Sequence, residues 1–315
     1  MFWNKKPSES PLKAQFAELA SVLTMAGVTV DQKPSGALTV HHEHFVTEID
    51  TIEPLQKNTP NGPIKAVVQI RTVLPQAIQS LFPKHEMTLA GNKMAALSAL
   101  VSEGKQVIIG SRLTIYESED AWKSLHFPLL MFSALQGPHA ILSGLRKMFA
   151  NEPFSENPSA WTEQDLSFIH STLSRICVAT DGGLGVTAEI PLSANAMSAI
   201  SGDGDTALLE IKADQPHPEL GGGLFILLQM PNRTKDEAKL KAACLRLNQM
   251  EFEARDLPPF FGAWCEGKLG GNPAYISFIP NEMHSVQGIG LNFAIWALIR
   301  AKWANDVLRS MGILA

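Results

Sequence analysis

The sequence predicts an α+β protein, a tandem repeat of two α-β-β-β-α-β-β-α domains with antiparallel sheets flanked by helices. The length of 315 residues is typical of about two domains. A stretch near the middle, MFANEPFSENPSAWTEQD, contains helix-breaking proline and asparagine residues and predicts a linker near residue 155. The patterns on its two sides, residues 1–154 and 155–315, follow the same order, which predicts an internal repeat.

Each half opens with the pattern of an amphipathic helix. Ser10 precedes Pro11 at the start of the first helix. Thr162 is the expected cap of the second helix, with Asp165 as its capping-box partner. Apolar residues then recur at helical spacing and give each helix one apolar stripe. They are Leu12, Phe16, Leu19 and Leu23 in the first half, and Leu166, Ile169, Leu173 and Ile176 in the second.

Strand patterns follow each first helix. In the first half they are ALTVHHEHFVTEI and IKAVVQIRTVL, and in the second they are GLGVTAEIPL, TALLEIKA and GLFILLQM. β-Branched and apolar residues bounded by Gly, Pro, Asn and Asp favour strands here. We expect about three strands in each half before the next helix.

A second helix, a pair of strands and a long helix complete each half. The helix PKHEMTLAGNKMAALSAL aligns with TKDEAKLKAACLRLNQME. The strand pairs are KQVIIGSRLTIYES and FFGAWCEGKLGGNPAYISFIPN, and the second pair has a predicted hairpin turn at residues 270–273. The closing helices are expected over residues 120–149 and 282–310.

This order of elements resembles the type III secretion chaperone-like fold that YbjN-like bacterial proteins share. The most similar stretch is LRLNQMEFEARDLPPFFGAWCEGKLGGNPAYISFIPN, Leu245 to Asn281, in which a helix carrying Leu-Asn leads into two strands and a final amphipathic helix. The resemblance covers nearly the whole chain as two copies and lies in the order of elements. It implies a non-enzymatic protein that binds other proteins or acts as a regulator, in a class that is commonly dimeric. Two copies in one chain would then resemble such a dimer internally.

Charge and hydropathy argue against two classes of partner. The net charge is −5 and the pI about 6.0, without a long run of Lys or Arg, so we expect no nucleic-acid partner. The apolar stretch Leu291–Ile299 is far shorter than the roughly 20 residues that cross a membrane. The N-terminal MFWNKKPSESP lacks a signal-peptide core, and Cys177, Cys244 and Cys265 form no disulfide framework. We therefore expect a cytoplasmic protein without a membrane partner.

The string HHEH at residues 41–44 is the candidate for metal chemistry. On a continuous strand His42 and His44 share a face, about 6–7 Å apart at Cα, and could begin a zinc site. Zinc would need at least one further protein ligand. Aligning Glu43 with Glu189 makes TAEI the counterpart in the second half, with isoleucine opposite His44, which favours a partly covered face. A metal site and an ordinary strand face both remain open.

Catalytic and cofactor motifs are missing from the sequence. It contains no G-x-S-x-G, no H-E-x-x-H and no phosphate-binding loop. The segment GDGD at residues 202–205 lacks the further ligands of an EF-hand and predicts a tight turn. We therefore expect no cofactor and prefer the interpretation that the protein is not an enzyme.

The closing helix of the second half is the candidate partner surface. It is apolar over much of its circumference, which is typical of a helix buried on more than one side. It either packs between the two repeats or forms a dimer or partner surface. For the second case the candidate residues are Ile289, Phe293, Trp296 and Trp303.

Two functions follow from these patterns. The first is a non-enzymatic protein-binding, chaperone-like or regulatory module that binds another protein or associates with itself. It is favoured by the resemblance and by the lack of catalytic motifs. The alternative is a metal-binding protein or metal-dependent enzyme centred on HHEH, and a small ligand held between the repeats stays open as a third.

Overall fold

The computed structural model describes residues 10–54, 58–59, 62–80, 82, 85–118, 121–155, 157–192, 205–267 and 271–314. Some predictions lie wholly or partly outside these ranges. They include the N-terminal residues 1–9, the GDGD turn at residues 202–204, the hairpin turn at residue 270 and the first residue of the closing helix expected over 120–149.

The first half begins and ends with helices and carries its strands between them. Its helices are α1 (Lys13–Met25), α2 (Gln76–Gln79), α3 (His85–Asn92), α4 (Phe127–Leu135) and α5 (Gly137–Ala150), with a π-helical turn at Trp122–His126 before α4. Its strands are β1 (Thr29–Gln32), β2 (Leu38–His42), β3 (Phe45–Ile52), β4 (Asn58–Thr59), β5 (Gly62–Val73), β6 (Ala99–Glu103) and β7 (Gln106–Tyr116). The predicted closing helix is interrupted between α4 and α5, because Pro138 lacks an N–H to continue the ladder.

In its described residues the second half repeats this order. Its helices are α6 (Glu163–Leu173), α7 (Glu237–Glu253) and α8 (Ile289–Ser310), with a 3-10 turn at Asn281–Met283 before α8. Its strands are β8 (Val178–Asp181), β9 (Gly185–Pro191), β10 (Thr206–Lys212), β11 (Gly223–Gln229), β12 (Ala263–Glu266) and β13 (Pro273–Pro280).

The two antiparallel sheets have the same strand order. The first sheet runs β1-β2-β3-β5-β7-β6, with the short β4 paired to β5, and the second runs β8-β9-β10-β11-β13-β12. In both sheets the second strand of the last hairpin, β7 or β13, pairs with the strand that precedes the middle helix, β5 or β11. The α+β class and the tandem arrangement of two similar units are therefore confirmed.

A pair of asparagine contacts sets the residue equivalence between the halves. At the end of α3, Asn92 donates to the Leu100 carbonyl (3.1 Å) and accepts from its N–H (2.7 Å). On α7, Asn248 makes the same two bonds to Trp264, both at 2.7 Å. Leu100 and Trp264, which these two asparagines bind, are therefore equivalent. Starting from each of them, the strand pairing gives a row of residues that lie side by side across the sheet, and the two rows are equivalent position by position. Across the first sheet the row is Val30, Val40, Thr47, Thr72, Ile109 and Leu100, and across the second it is Ala179, Ala188, Leu209, Leu228, Tyr275 and Trp264.

Each half has more strands before its middle helix than the sequence predicts. In both halves a short edge strand, β1 or β8, precedes the strands that were expected. In the first half the predicted strand ALTVHHEHFVTEI is in fact a hairpin, in which β2 ends at His42 and β3 starts at Phe45. Glu43 turns the chain with a positive φ of 52°, a conformation that no glycine or proline announces in the sequence.

The two halves pack together reciprocally through their middle helices. α7 contacts β6 and β7 of the first sheet, α3 contacts β12 of the second sheet, and the two helices contact each other. The opposite face of each sheet is covered from its own half, where α4 contacts β5 and α8 contacts β10 and β11. Each sheet thus has an inner face, covered by its own half, and an outer face, directed towards the other half.

Candidate functional site

The outer face of the first sheet is polar and is closed by the end of α7. Gln69 on β5 donates from Nε2 to the carbonyl of Phe252 at 3.0 Å. Arg112 on β7 is fully buried, and its guanidinium donates to three further carbonyl groups. They are those of Glu251 (2.8 Å), Leu257 (3.0 Å) and Pro258 (2.7 Å). These side chains bind carbonyl groups at the end of α7, which the helix leaves unpaired, and in the segment that follows it. Burial lowers the pKa of Arg112 to about 10.

Close contact between α7 and β7 depends on a glycine. A Cβ atom added at Gly110 would lie 2.7 Å from Cε2 of Phe252, so the phenyl ring occupies the space of a side chain. The equivalent residues of the other half are Ala96 and Ile276, which share one buried cluster. The large and small residues are therefore exchanged between the halves.

A buried ion cluster stands beside this contact. Glu251 on α7 accepts hydrogen bonds from Arg300 Nε, at 2.8 Å to each carboxylate oxygen, and from Trp264 Nε1 at 2.7 Å. The Arg300 guanidinium also donates to the carbonyl of Pro259 (2.7 Å) and lies 4.0 Å over the ring of Tyr275. Both charges are buried and paired, and removing either partner would be costly because the other charge would stay in the interior without compensation.

The outer face of the second sheet is apolar and partly open. Its floor is formed by Phe225 and Leu227 on β11 and by Ile276 and Phe278 on β13, and above it lies a pocket of about 290 Å³. By the residue equivalence, these four residues stand where the first sheet has Gln69, Arg71, Gly110 and Arg112. The pocket therefore occupies the place that the end of α7 fills in the first half.

The lengths of the middle helices explain this opening. α7 continues past Asn248 as far as Glu253, whereas α3 ends at the equivalent Asn92. The chain after α3 turns away at Leu97, which has a positive φ of 56°. The polypeptide that would cover the second floor is thus shorter than its counterpart, and a pocket remains.

The walls of the pocket come from both halves. The first half contributes Met94, Met148 and Phe154, and the second contributes Pro216, His217 and Pro218. Lys93 and Glu266 add one positive and one negative group to the lining. A pocket that is mostly apolar with few polar groups is typical of binding sites.

His217 connects two segments of this wall through hydrogen bonds to their main chains. Its Nε2 lies 3.2 Å from the carbonyl of Met94, and its Nδ1 accepts from the N–H groups of Glu219 (3.1 Å) and Leu220 (3.2 Å). Its ring packs against that of Phe278. Burial lowers the pKa of His217 to about 4, so the imidazole is neutral near pH 7. Both ring nitrogens are engaged with the main chain.

The HHEH residues lie at a hairpin, and the strand geometry predicted for them is wrong. His42 ends β2 and His44 lies in the turn, so the two histidines are not alternate residues of one strand face. His41 pairs instead with Asp31 at 3.1 Å. Within the described ranges, no group of three or more His, Cys, Asp or Glu side chains is placed to hold a metal ion.

The alignment of HHEH with the second half also shifts. Because Val40 is equivalent to Ala188, His42 is equivalent to Ile190, and Glu189 is the counterpart of His41 rather than of Glu43. The offset of two residues keeps the buried face in register, which is why the sequence comparison did not reveal it.

The candidate partner residues on α8 mostly face the interior. Ile289 and Phe293 are buried, and Phe293 contacts the rings of Phe261 and Trp296. Trp296 and Trp303 are partly exposed and pack on the same core. α8 covers the inner face of the second sheet and contacts α6 and α7, so it does not lie between the two sheets. None of the helices in the described ranges is both long and apolar enough to span a membrane.

The pocket residues were not predicted, although the sequence contains a signal for them. Every residue of β11, GLFILLQ, is buried, and a strand that is apolar on both faces is covered on both faces. No family model, curated protein or solved structure matches this chain. The protein is therefore classified from its fold and its site alone, as an α+β tandem repeat with an apolar pocket between its halves.

Proposed function

We propose that this protein is a non-enzymatic binding module of chaperone-like or regulatory type, whose pocket takes a bulky apolar side chain of a partner polypeptide. The observation that carries the proposal is the inequality of the two outer faces. In the first half the outer face is closed by the chain itself, through Phe252 and the end of α7. In the second half the equivalent position is an apolar pocket.

The size of the pocket supports a side chain as its occupant. About 290 Å³ is at the lower limit of the roughly 300–1,000 Å³ typical of pockets for small molecules and cofactors. A single aromatic or large aliphatic side chain is the usual anchor of a protein interface and binds in a pocket of this kind. Met94 and Met148 give the walls flexible side chains that adapt to different anchors.

The chemistry of the lining supports binding rather than catalysis. His217 is the residue of the lining best suited to acid–base chemistry, but its two nitrogens are already bonded to the main chain. The floor consists of side chains without ionisable groups. An apolar side chain would therefore gain free energy by leaving water, about 1.5–3 kcal/mol for full burial.

Selection of displayed random peptides on the full chain tests the proposal. We expect the bound peptides to share one bulky apolar residue, and a synthetic peptide from this set to bind the wild-type protein. Phe154 lines the pocket and is 48% exposed, so Phe154→Glu should leave the fold intact. The substitution should weaken the peptide about tenfold, which is about 1.4 kcal/mol.

The chain offers a matched control for this variant. Phe149 is 61% exposed and does not line the pocket, so Phe149→Glu should bind the peptide as the wild type does. Equal loss in both variants, or equal binding by all three proteins, would contradict the pocket as the site. Failure of every peptide to bind would contradict a polypeptide partner.

A further inference from the structure

The outer edge of the second sheet is formed by β8, on the side away from the pocket. In the described chain β8 pairs with β9 on one side and with no strand on the other. Its Val178 is 70% exposed, and Ile176 just before it is 60% exposed. An edge strand with exposed apolar side chains is a template for pairing with another strand.

The equivalent edge of the first sheet is protected by charge. There Thr29 occupies the position of Val178. Asp31 on the same strand pairs with His41, and Lys33 just after it pairs with Glu48 at 3.0 Å. Charged side chains are a common means of preventing pairing at a sheet edge. The repeat therefore carries one guarded edge and one apolar edge, although both edges arise from the same fold.

We propose that β8 pairs antiparallel with β8 of a second copy, which joins the second sheets of two chains across a twofold axis. Arg175 lies in the turn before the strand and Asp181 ends it, and both are exposed. With Val178 of the two copies opposite each other, antiparallel pairing brings the turn that carries Arg175 of each copy towards Asp181 of the other, so opposite charges meet at both ends. Val178, between them, is covered by the partner strand.

The surrounding contacts set the cost and the consequence of this pairing. His170 Nε2 lies 3.3 Å from the carbonyl of Ala179, and the N–H of Cys177 donates to the carbonyl of Leu173 at 2.9 Å, so a partner strand competes with both contacts. The pocket floor is on β11 and β13, and β9 and β10 separate these strands from β8. The dimer therefore leaves both pockets accessible, and the inference is independent of the proposed function.

The mass of the full chain over a concentration series, measured by light scattering and by sedimentation, tests the proposal. We expect the wild type to dimerise and Val178→Asp to dimerise about tenfold more weakly, because the proposed register places the new carboxylate opposite the same carboxylate of the other copy. Thr29→Asp is the matched control at the equivalent position of the guarded edge, and its dimerisation should equal that of the wild type. Far-UV circular dichroism confirms that the variants are folded.

A charge exchange distinguishes the proposed pairing from other contacts. Arg175→Glu should weaken the dimer, and adding Asp181→Lys to it should restore dimerisation. A wild-type chain that is monomeric throughout would overturn the proposal, as would a dimer that Val178→Asp leaves unchanged. Weakening by Thr29→Asp equal to that by Val178→Asp would assign the dimer to another surface.

Discussion

Replacing Glu251 with glutamine tests how much the buried ion cluster stabilises the folded protein. Glu251 is 1% exposed, Arg300 3% and Arg112 0%, so one carboxylate lies among two buried guanidinium groups. The carboxylate accepts from Arg300 and from Trp264. Glutamine has nearly the same shape, but it removes the negative charge and presents an NH₂ group in place of one oxygen.

The magnitude follows from what remains buried after the change. Removing one partner of a buried ion pair costs about 3–5 kcal/mol, because the other charge stays in the interior without compensation. The amide oxygen can still accept from Trp264, so this hydrogen bond is kept. We expect the free energy of unfolding to fall by about 3–5 kcal/mol, a large part of the 5–15 kcal/mol that is usual for a folded protein.

Equilibrium unfolding in urea, followed by tryptophan fluorescence and circular dichroism, measures this loss. Glu253→Gln is the matched control, because Glu253 is exposed on the same helix and accepts from Gln249 at 2.9 Å. That control should change the free energy of unfolding by less than about 0.5 kcal/mol. A loss no larger than that of the control would refute the reasoning.

Two further predictions concern the pocket wall and the anchors of the repeat. Burial lowers the pKa of His217 from 6.5 to about 4, so the unfolded chain binds more protons between these values. The stability that depends on the neutral imidazole is complete above pH 6.5 and is lost as the pH falls towards 4, by at most about 3 kcal/mol. The difference in free energy of unfolding between wild type and His217→Gln should shrink over that range, and a difference independent of pH would contradict a buried neutral imidazole. Asn92→Ala and Asn248→Ala each leave one main-chain N–H and one carbonyl of the next strand unpaired, so each should cost about 2–4 kcal/mol in urea unfolding. A large effect in only one variant would argue against the equivalence of the two anchors.

The elements that the sequence predicted well are those set by local patterns. Thr162 and Asp165 form the expected capping box, and the apolar stripe of α6 is buried at Leu166, Ile169 and Leu173. The strands β9, β10 and β11 lie where their apolar runs predict them. These patterns depend on neighbours within one or two turns, so they can be recognised without knowledge of the rest of the fold.

The hairpin at HHEH shows where local patterns fail. Alternation of polar and apolar residues continues through the turn, and Glu43 adopts a positive φ without a glycine or asparagine to indicate it. His42 pairs with Phe45 at the base of the turn, and the long-range pairing of β3 with β5 holds the hairpin in place. The predicted metal geometry depended on a continuous strand and was therefore wrong.

The sequence by itself determined the α+β class, the repeat and the apolar character of β11 and β13, since all three follow from composition and periodicity. Only the tertiary structure decided that the outer face of one half is closed and that of the other is open. That difference depends on α3 ending at Asn92 while α7 continues to Glu253. It depends also on which helix each sheet meets across the interface. Both are relations between residues far apart in the chain, and a pocket exists only where such residues leave space between them.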